Sequence, residues 1–256
     1  MSLASRKLIQ ATAGAAGGDT GDDDFANVVL LLDGDGTSGA QNETFTDSST
    51  NGFTVTQNGS VVQGSFSPYG DNWSNYFNDD GYLQVTKSTD LDLDTNNWTI
   101  ECWLNLKSAS AVEVVLNFGY ETETTRGYLI YLNSGALHFA YSTNGSNNTD
   151  TSMGSHGIVA NEWTHLAVVR NGSTITGYIN GSALGTTINI GSSDIYYPTS
   201  GNFIIGSDAT NHLAGYISNM RLVNGTAVYT SSFTPSTSPL TAITNTKLLT
   251  CQSNKF

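Results

Sequence analysis

From Phe25 onward, short apolar runs alternate with clusters of Gly, Asn, Ser and Thr, and no window sustains a helical period with caps. The runs predict strands at 28–32, 53–57, 83–85, 99–106, 112–118, 127–132, 136–142, 164–170, 174–179, 203–206, 215–223 and 247–251. In the run WTIECWLNL, Ile100, Cys102 and Leu104 share one face, while Thr99, Glu101 and Trp103 share the other. The run WTHLAVVR is apolar on both faces, which predicts a central strand covered on both sides. Asn-Gly stands at 51–52, 58–59, 144–145, 171–172, 180–181 and 224–225. Each is a hairpin signal, because both residues accept the positive φ of a type I′ turn. At most one helical turn is expected, near 87–91. A dozen short strands with turns at regular spacing predict an all-β sandwich or barrel.

Residues 1–24 break the pattern. Leu3, Leu8 and Ile9 are their only sizeable apolar side chains besides Met1, followed by Ala and Gly and then Asp19, Asp22, Asp23 and Asp24. Such a segment buries too little area to offset its own ordering entropy. It is either a disordered tail or an arm that becomes ordered on a partner. In the second reading Leu3, Leu8 and Ile9 are apolar anchors, and Arg6 and Lys7 meet an acidic partner surface. The apolar block is interrupted by Gln10 and Thr12, so a cleaved secretory signal is not expected. The remaining 25–256 are long enough for one large β domain with a substantial core.

Composition narrows the partners. Charged residues make up only 12% of the chain, yet the formal net charge is −13 because Lys and Arg number nine in all. An acidic surface repels phosphate backbones, so nucleic acid is excluded as a partner, and anionic glycans are disfavoured. No apolar stretch approaches the length of a membrane helix. Cys102 and Cys251 both lie in apolar strand segments; two buried free thiols are the simpler reading, a bridge between them the alternative.

Three stretches carry a resemblance to the laminin-G-like, concanavalin A-like jelly-roll family. They are YFNDDGYLQVTKSTDLDLDTNNWTIECWL (76–104), EWTHLAVVRNGSTITGYINGSALG (162–185) and FIIGSDATNHLAGYISNMRLVNGTAVY (203–229). Each motif is weak alone; their order and spacing carry the fold. The family implies an antiparallel β-sandwich, here with an extended N-terminal arm. The closing run 229–256 resembles the ends of such units in virion proteins of tailed bacteriophages. The opening SRKLIQATAGAAGG resembles the start of virion proteins in marine phages. The segment 45–49 is the counterpart of what would follow residues 247–256 in a tandem array. First and last strands are therefore expected to pair antiparallel, closing one sandwich with both termini at one end.

The resemblance also implies candidate sites. In related units an Asp in the D-S-S-x-N loop and one after the penultimate strand's G-x-I share a calcium ion. Asp47 matches the first, but Ser218 and Asn219 stand at the second, so the carboxylate is missing there. Asp47 and Asn219 are the calcium candidates, and Ca2+ is the only cofactor expected. For a carbohydrate ligand, the loop aromatics Tyr196, Tyr197, Trp73 and Tyr120 are the candidates. Trp98, Trp103 and Trp163 are assigned to core packing, and His165 to a packed or hydrogen-bonded core position.

Enzymatic chemistry finds little support. Retaining glycoside hydrolases need two carboxyls about 5 Å apart, and the family's E-x-D-x-x-E strand is absent. Glu121 and Glu123 alternate suitably but lie in a polar turn. No nucleophile elbow, metal-binding C-x-x-C or H-E-x-x-H, or phosphate loop occurs. The resulting expectation is a non-enzymatic structural or adhesive virion component: a capsid decoration, tail-fibre or appendage subunit. It would be made in a host cytoplasm, anchored by residues 1–24 to other virion proteins, and multicopy, with cell-surface glycans as candidate ligands. The alternatives are a free lectin and, further off, a glycoside hydrolase.

Overall fold

The computed structural model describes residues 24–33, 45–64, 66–70, 74–119 and 127–251. Its strands, in chain order, are β1 (Leu30–Asp33), β2 (Thr46–Asp47), β3 (Thr56–Asn58), β4 (Val61–Gly64), β5 (Ser74–Asn78) and β6 (Tyr82–Thr86). Next come β7 (Trp98–Leu106), β8 (Glu113–Phe118), β9 (Tyr128–Asn133), β10 (Ala136–Tyr141), β11 (Thr149–Ser155) and β12 (Thr164–Asn171). The last are β13 (Thr174–Ile179), β14 (Ser182–Asn189), β15 (Asn202–Ile205), β16 (Ala214–Asn224) and β17 (Thr246–Thr250). The expected helical turn is a 3-10 turn at Thr89–Leu91, capped by the Ser88 side chain; a second 3-10 turn, Phe25–Asn27, exceeds the one expected.

The strands form two sheets. The first runs β14-β13-β12-β7-β16-β17-β1-β2, with β5 pairing β16 and β4 pairing β5; the second runs β11-β10-β9-β8-β15-β6-β3. Their inner faces share one core, in which Ile100, Cys102, Leu104 and Leu166 from the first sheet meet Leu116, Phe118, Phe139 and Phe203 from the second. The chain is thus an all-β sandwich, as its alternation predicts. Five strands escaped that alternation: β2, β4, β5, β11 and β14. In β11 and β14, which are sheet edges, most side chains face solvent. An edge strand has one neighbour and no need of a second apolar face.

One expectation about chain closure is corrected. β1 pairs β17 in parallel, Leu30 opposite Leu248 and Leu31 opposite Leu249, while β2 pairs β1 antiparallel. The chain therefore enters β1 at the end where β17 begins and leaves β17 at the other end. Burial explains the order. Leu30 and Leu32 point into the main core, while Val28 and Leu31 pack with Leu240, Ala242 and Leu249 on the opposite face. A segment apolar on both faces takes the inner position, and the short polar β2 is left at the edge.

The outer face of the first sheet is covered by the segment 225–243. Ala227, Tyr229 and Phe233 from this strap pack on Ala167, Val169 and Tyr178. That explains why β12 is apolar on both faces. The strap is fixed at the β13–β14 hairpin, where Asn180 and Gly181 have φ of 47° and 76°. They form the type I′ turn that Asn-Gly predicts. The Phe233 N–H donates to the Gly181 carbonyl at 2.9 Å. A Cβ on Gly181 would come within 1.8 Å of the Phe233 oxygen, so only glycine permits this approach.

Candidate functional site

Beside the strap, on the outer face of the first sheet, lies a cleft of about 280 Å³ lined by Pro68, Tyr69, Trp103, Asn180, Pro235 and Ser236 with Thr237. Trp103 forms its floor. The residue is half-buried, because strand alternation in β7 turns it away from the core while Cys102 and Leu104 turn in. Tyr69 meets the indole edge-on, with centroids 6.0 Å apart. Burial pushes the Tyr69 hydroxyl up to about 12, against an opposing hydrogen bond with Trp103, so it stays protonated at any physiological pH. Pro68 and Pro235 add stiff apolar walls, and Asn180, Ser236 and Thr237 supply hydrogen-bonding groups at the rim.

A buried polar network holds the floor. Glu101, two residues before Trp103 on the same face, is fully buried. Its Oε1 accepts from Arg221 Nε at 2.9 Å and Nη2 at 2.5 Å; its Oε2 accepts from the Tyr229 hydroxyl at 2.7 Å. His165 Nε2 stands 3.1 Å from the same Oε2, and its ring lies edge-on to Trp103, centroids 5.3 Å apart. Burial works to raise the Glu101 carboxyl, but the His165 hydrogen bond and the Arg221 charge outweigh it and hold the carboxyl below its ordinary value. Arg221 Nη1 also donates to the Thr241 carbonyl of the strap at 3.0 Å. One carboxylate thus joins β7, β12, β16 and the strap, and it fixes the ring that floors the cleft. His165 is buried and hydrogen-bonded as expected, but on the outer face against Trp103, Tyr229 and Phe233 rather than in the core between the sheets.

The assignment of Trp103 and Trp163 to the core is corrected: only Trp98 lies there, fully buried, whereas the other two are half-buried on the outer face. For Trp103 the signal was present in the alternation of WTIECWLNL, which set it apart from Ile100, Cys102 and Leu104.

The calcium candidates are not brought together. β1 and β17 lie between β2, which carries Asp47, and β16, which carries Asn219. Three strand spacings separate them, about 14 Å. Asp47 is instead an organiser of its own loop: its carboxylate accepts from the N–H groups of Leu31, Ser49 and Phe53 and from the Ser49 hydroxyl, at 2.7–3.0 Å. Asn219 has φ of 51° at a bulge in β16, donates to Ser218 and accepts from Leu240 N–H. Both side chains are engaged by protein groups. Among the described residues no cluster of three or more His, Cys, Asp or Glu side chains could hold a metal ion.

Of the loop aromatics, Tyr196 lies across Gly145, where a Cβ would meet its ring at 2.5 Å. Tyr197 packs on Phe118 with Lys87 Nζ 4.7 Å above its ring. Neither lines the cleft; Tyr197 packs against the core instead. Trp73, Tyr120, the Glu121/Glu123 pair and the arm residues Leu3, Arg6, Lys7, Leu8 and Ile9 lie outside the described residues. Cys102 and Cys251 are free and buried, and burial pushes both thiols up, Cys251 to about 12.

Three further acids have raised values: Asp92, Glu113 and Asp194, the last through burial and then the charge of Asp94. Burial, and then the charge of Asp194, push Asp92 up to about 6. Burial pushes Glu113 up to about 7 against a hydrogen bond from Ala214 N–H. The nearby Arg170 does not pair with Asp92; its guanidinium donates to the carbonyls of Asp94, Gly172, Gly191 and Ser193.

The two-sheet sandwich is lectin-like in its architecture. A family model described as the concanavalin A-like lectin/glucanases superfamily, of laminin-G type, matches residues 77–231. That is more than half of the chain, and the chain belongs to this superfamily. A search of curated protein sequences finds no match. Solved structures of similar fold include the binding domain of botulinum neurotoxin DC in complex with rat synaptotagmin II, at 15% identity and TM-score 0.56 over 81% of this chain and 50% of that one. Another is a botulinum neurotoxin type C structure, described by cell entry dependent on interaction with two ganglioside molecules, at 15% identity and TM-score 0.55 over 80% and 49%. A third is the binding domain of Paraclostridial Mosquitocidal Protein 1, at 14% identity and TM-score 0.56 over 80% and 50%. The chain spans about half the length of these structures, and at such identities the likeness is one of fold.

Proposed function

We propose that this protein is a non-enzymatic, carbohydrate-binding adhesive component of a virus particle, taking a glycan into the Trp103 cleft. The observation that carries the binding role is the cleft itself. An aromatic floor on a rigid sheet, proline walls and an amide-and-hydroxyl rim match what a sugar presents: apolar C–H faces edged by hydroxyls. Membership of a superfamily of lectins and glucanases supports it, and so does the ganglioside interaction of a toxin that shares the fold. A glycanase role is disfavoured because Glu101, the carboxylate nearest the cleft floor in sequence, is buried and held by Arg221, His165 and Tyr229. It has neither access to water nor a proton to give.

The virion role rests on the resemblance of the closing and opening segments to phage virion proteins. Residues 1–24 attach the module to neighbouring virion proteins, and repetition on the particle converts weak contacts into avidity. A glycan array followed by titration calorimetry tests binding: wild type binds a glycan, and Trp103→Ala loses at least about tenfold in affinity. Deletion of residues 1–24 tests anchoring: the domain stays folded but is missing from purified particles. Normal incorporation of the deletion variant refutes the anchor.

A further inference from the structure

The aromatic surface continues beyond the cleft. Asn105 follows Trp103 on the same face of β7, and the register lays a row across the sheet, with Tyr76 opposite Tyr216 and Tyr216 opposite Asn105. Trp163, just before β12, completes the row, with its ring 6.3 Å from Tyr216 and 5.2 Å from Phe66. Phe66 in turn lies 5.0 Å from Tyr216, and Tyr76 4.9 Å from it. Phe66 is 47% exposed. A lone exposed ring needs no explanation, but four rings linked through Tyr216 form a patch of the kind that marks a binding surface.

Two further observations point to the occupant. Within this row, Asn105 Nδ2, on the residue opposite Tyr216, and the indole Nε1 of Trp163 itself are buried donors with no hydrogen-bond partner, and Asn105 is only 4% exposed. Unpaired donors within an aromatic surface call for acceptors such as hydroxyl or ring oxygens. Charge then selects among glycans. The buried guanidiniums of Arg170 and Arg221 are taken up by carbonyls and Glu101. Lys107, the cation at the end of the row, sits 4.8 Å over the Tyr76 ring and donates to Asn78 Oδ1. The row presents no arginine fork for a carboxylate or sulfate, and the protein's net charge of −13 repels both.

We infer that the Phe66–Tyr216–Trp163 row is a second set of subsites, continuous with the Trp103 cleft, for a neutral oligosaccharide lying across β12, β7, β16 and β5. The four strands span three spacings, about 14 Å, which is more than one pyranose ring can cover. The protein therefore recognises a run of several sugars rather than a single terminal one. This rests on the cleft being the glycan site. Phe66, Pro68 and Tyr69, like Pro235–Thr237, fall outside the matched 77–231, so the row and cleft join residues inside and outside that match.

The test is calorimetric titration of neutral oligosaccharides, disaccharide to hexasaccharide, built on the array's strongest neutral hit. Wild-type affinity should rise by about tenfold with length. Phe66→Ala and Tyr216→Ala should lose that rise while keeping disaccharide binding, whereas Trp103→Ala weakens every length. Circular dichroism melts confirm that the variants remain folded, and the half-exposed Phe66 is the variant least coupled to folding. Affinity independent of length, a Phe66→Ala protein that keeps the length dependence, or preference for sialylated over neutral chains overturns the inference while leaving the cleft in place. Absence of any glycan binding, or of any Trp103→Ala effect, removes the cleft reading and this one with it.

Discussion

The outer faces of the two sheets solve the same problem differently. On the first sheet, charged groups are buried beneath a strap: Glu101 is 0% and Arg221 5% exposed, and one carboxylate satisfies Arg221, His165 and Tyr229 at once. On the second sheet, a comparable trio is left near solvent. The Tyr131 hydroxyl donates to Asp150 Oδ2 at 2.5 Å and His138 Nδ1 stands 3.3 Å from Oδ1, but the Asp150 side chain is 40% exposed. Breaking a buried pair is costly because losing one member strands the other in a medium that cannot solvate it. An exposed pair competes with water and contributes little. The first face is therefore the one whose polar network is costly to break, and it carries the cleft.

The sharpest way to break this contrast is Arg221→Met, which leaves Glu101 buried without its cation. We expect a loss of about 3–5 kcal/mol in urea denaturation; a loss under about 1 kcal/mol would show that the network does not hold the face together. Next comes Gly181→Ala, which sets a Cβ against the Phe233 carbonyl at a residue with positive φ. It should cost about 2 kcal/mol in the same assay. Because the strap residues Pro235 and Ser236 line the cleft, it should also weaken ligand binding, whereas a purely local effect would leave binding unchanged.

Glu113 sharpens the comparison from the second sheet. It too is buried, but burial raises its carboxyl to about 7. Its folded value lies above its unfolded one near 4.5, so its contribution is complete below that unfolded value and is lost as pH rises through about 7. Glu101 behaves oppositely: its contribution is present above the ordinary carboxylate value and is lost as pH falls through its lowered one. Glu113→Gln should therefore raise stability by about 1–2 kcal/mol at pH 8 and change little at pH 5. Equal shifts at both pH values would contradict the raised carboxyl. The smallest effect is expected for Asp150→Asn, under about 1 kcal/mol, in melts at pH 7.

The same contrast explains what was legible in the sequence. Central strands such as β7, β12 and β16 announced themselves because the core demands apolar residues at alternate positions. The edge strands β11 and β14 and the short β2 did not, because little pressure acts on a solvent-facing strand. Among the Asn-Gly pairs only Asn180-Gly181 has both φ values positive, whereas Ser134-Gly135, which raised no expectation, does the same between β9 and β10. Glu101 was visible as a carboxylate in an apolar strand, yet its partners Arg221 and Tyr229 lie 120 and 128 positions away, and local pattern carries no trace of such contacts. The cleft was missed for a related reason. It joins Trp103 to segments at 68–69 and 235–237, whose proximity only the sheet order creates. Asp47 and Asn219 show the reverse error, since motif position suggested a shared ion and the interposed β1 and β17 keep them apart.

We propose that the outer face of the first sheet is a sugar-binding surface floored by Trp103. Calorimetric titration of the strongest neutral glycan from an array into wild type and Trp103→Ala, with both confirmed folded, tests it most directly. The account predicts saturable, salt-insensitive binding by wild type that drops at least about tenfold in the variant. Equal binding by the two proteins, or none by wild type to any glycan, would contradict it.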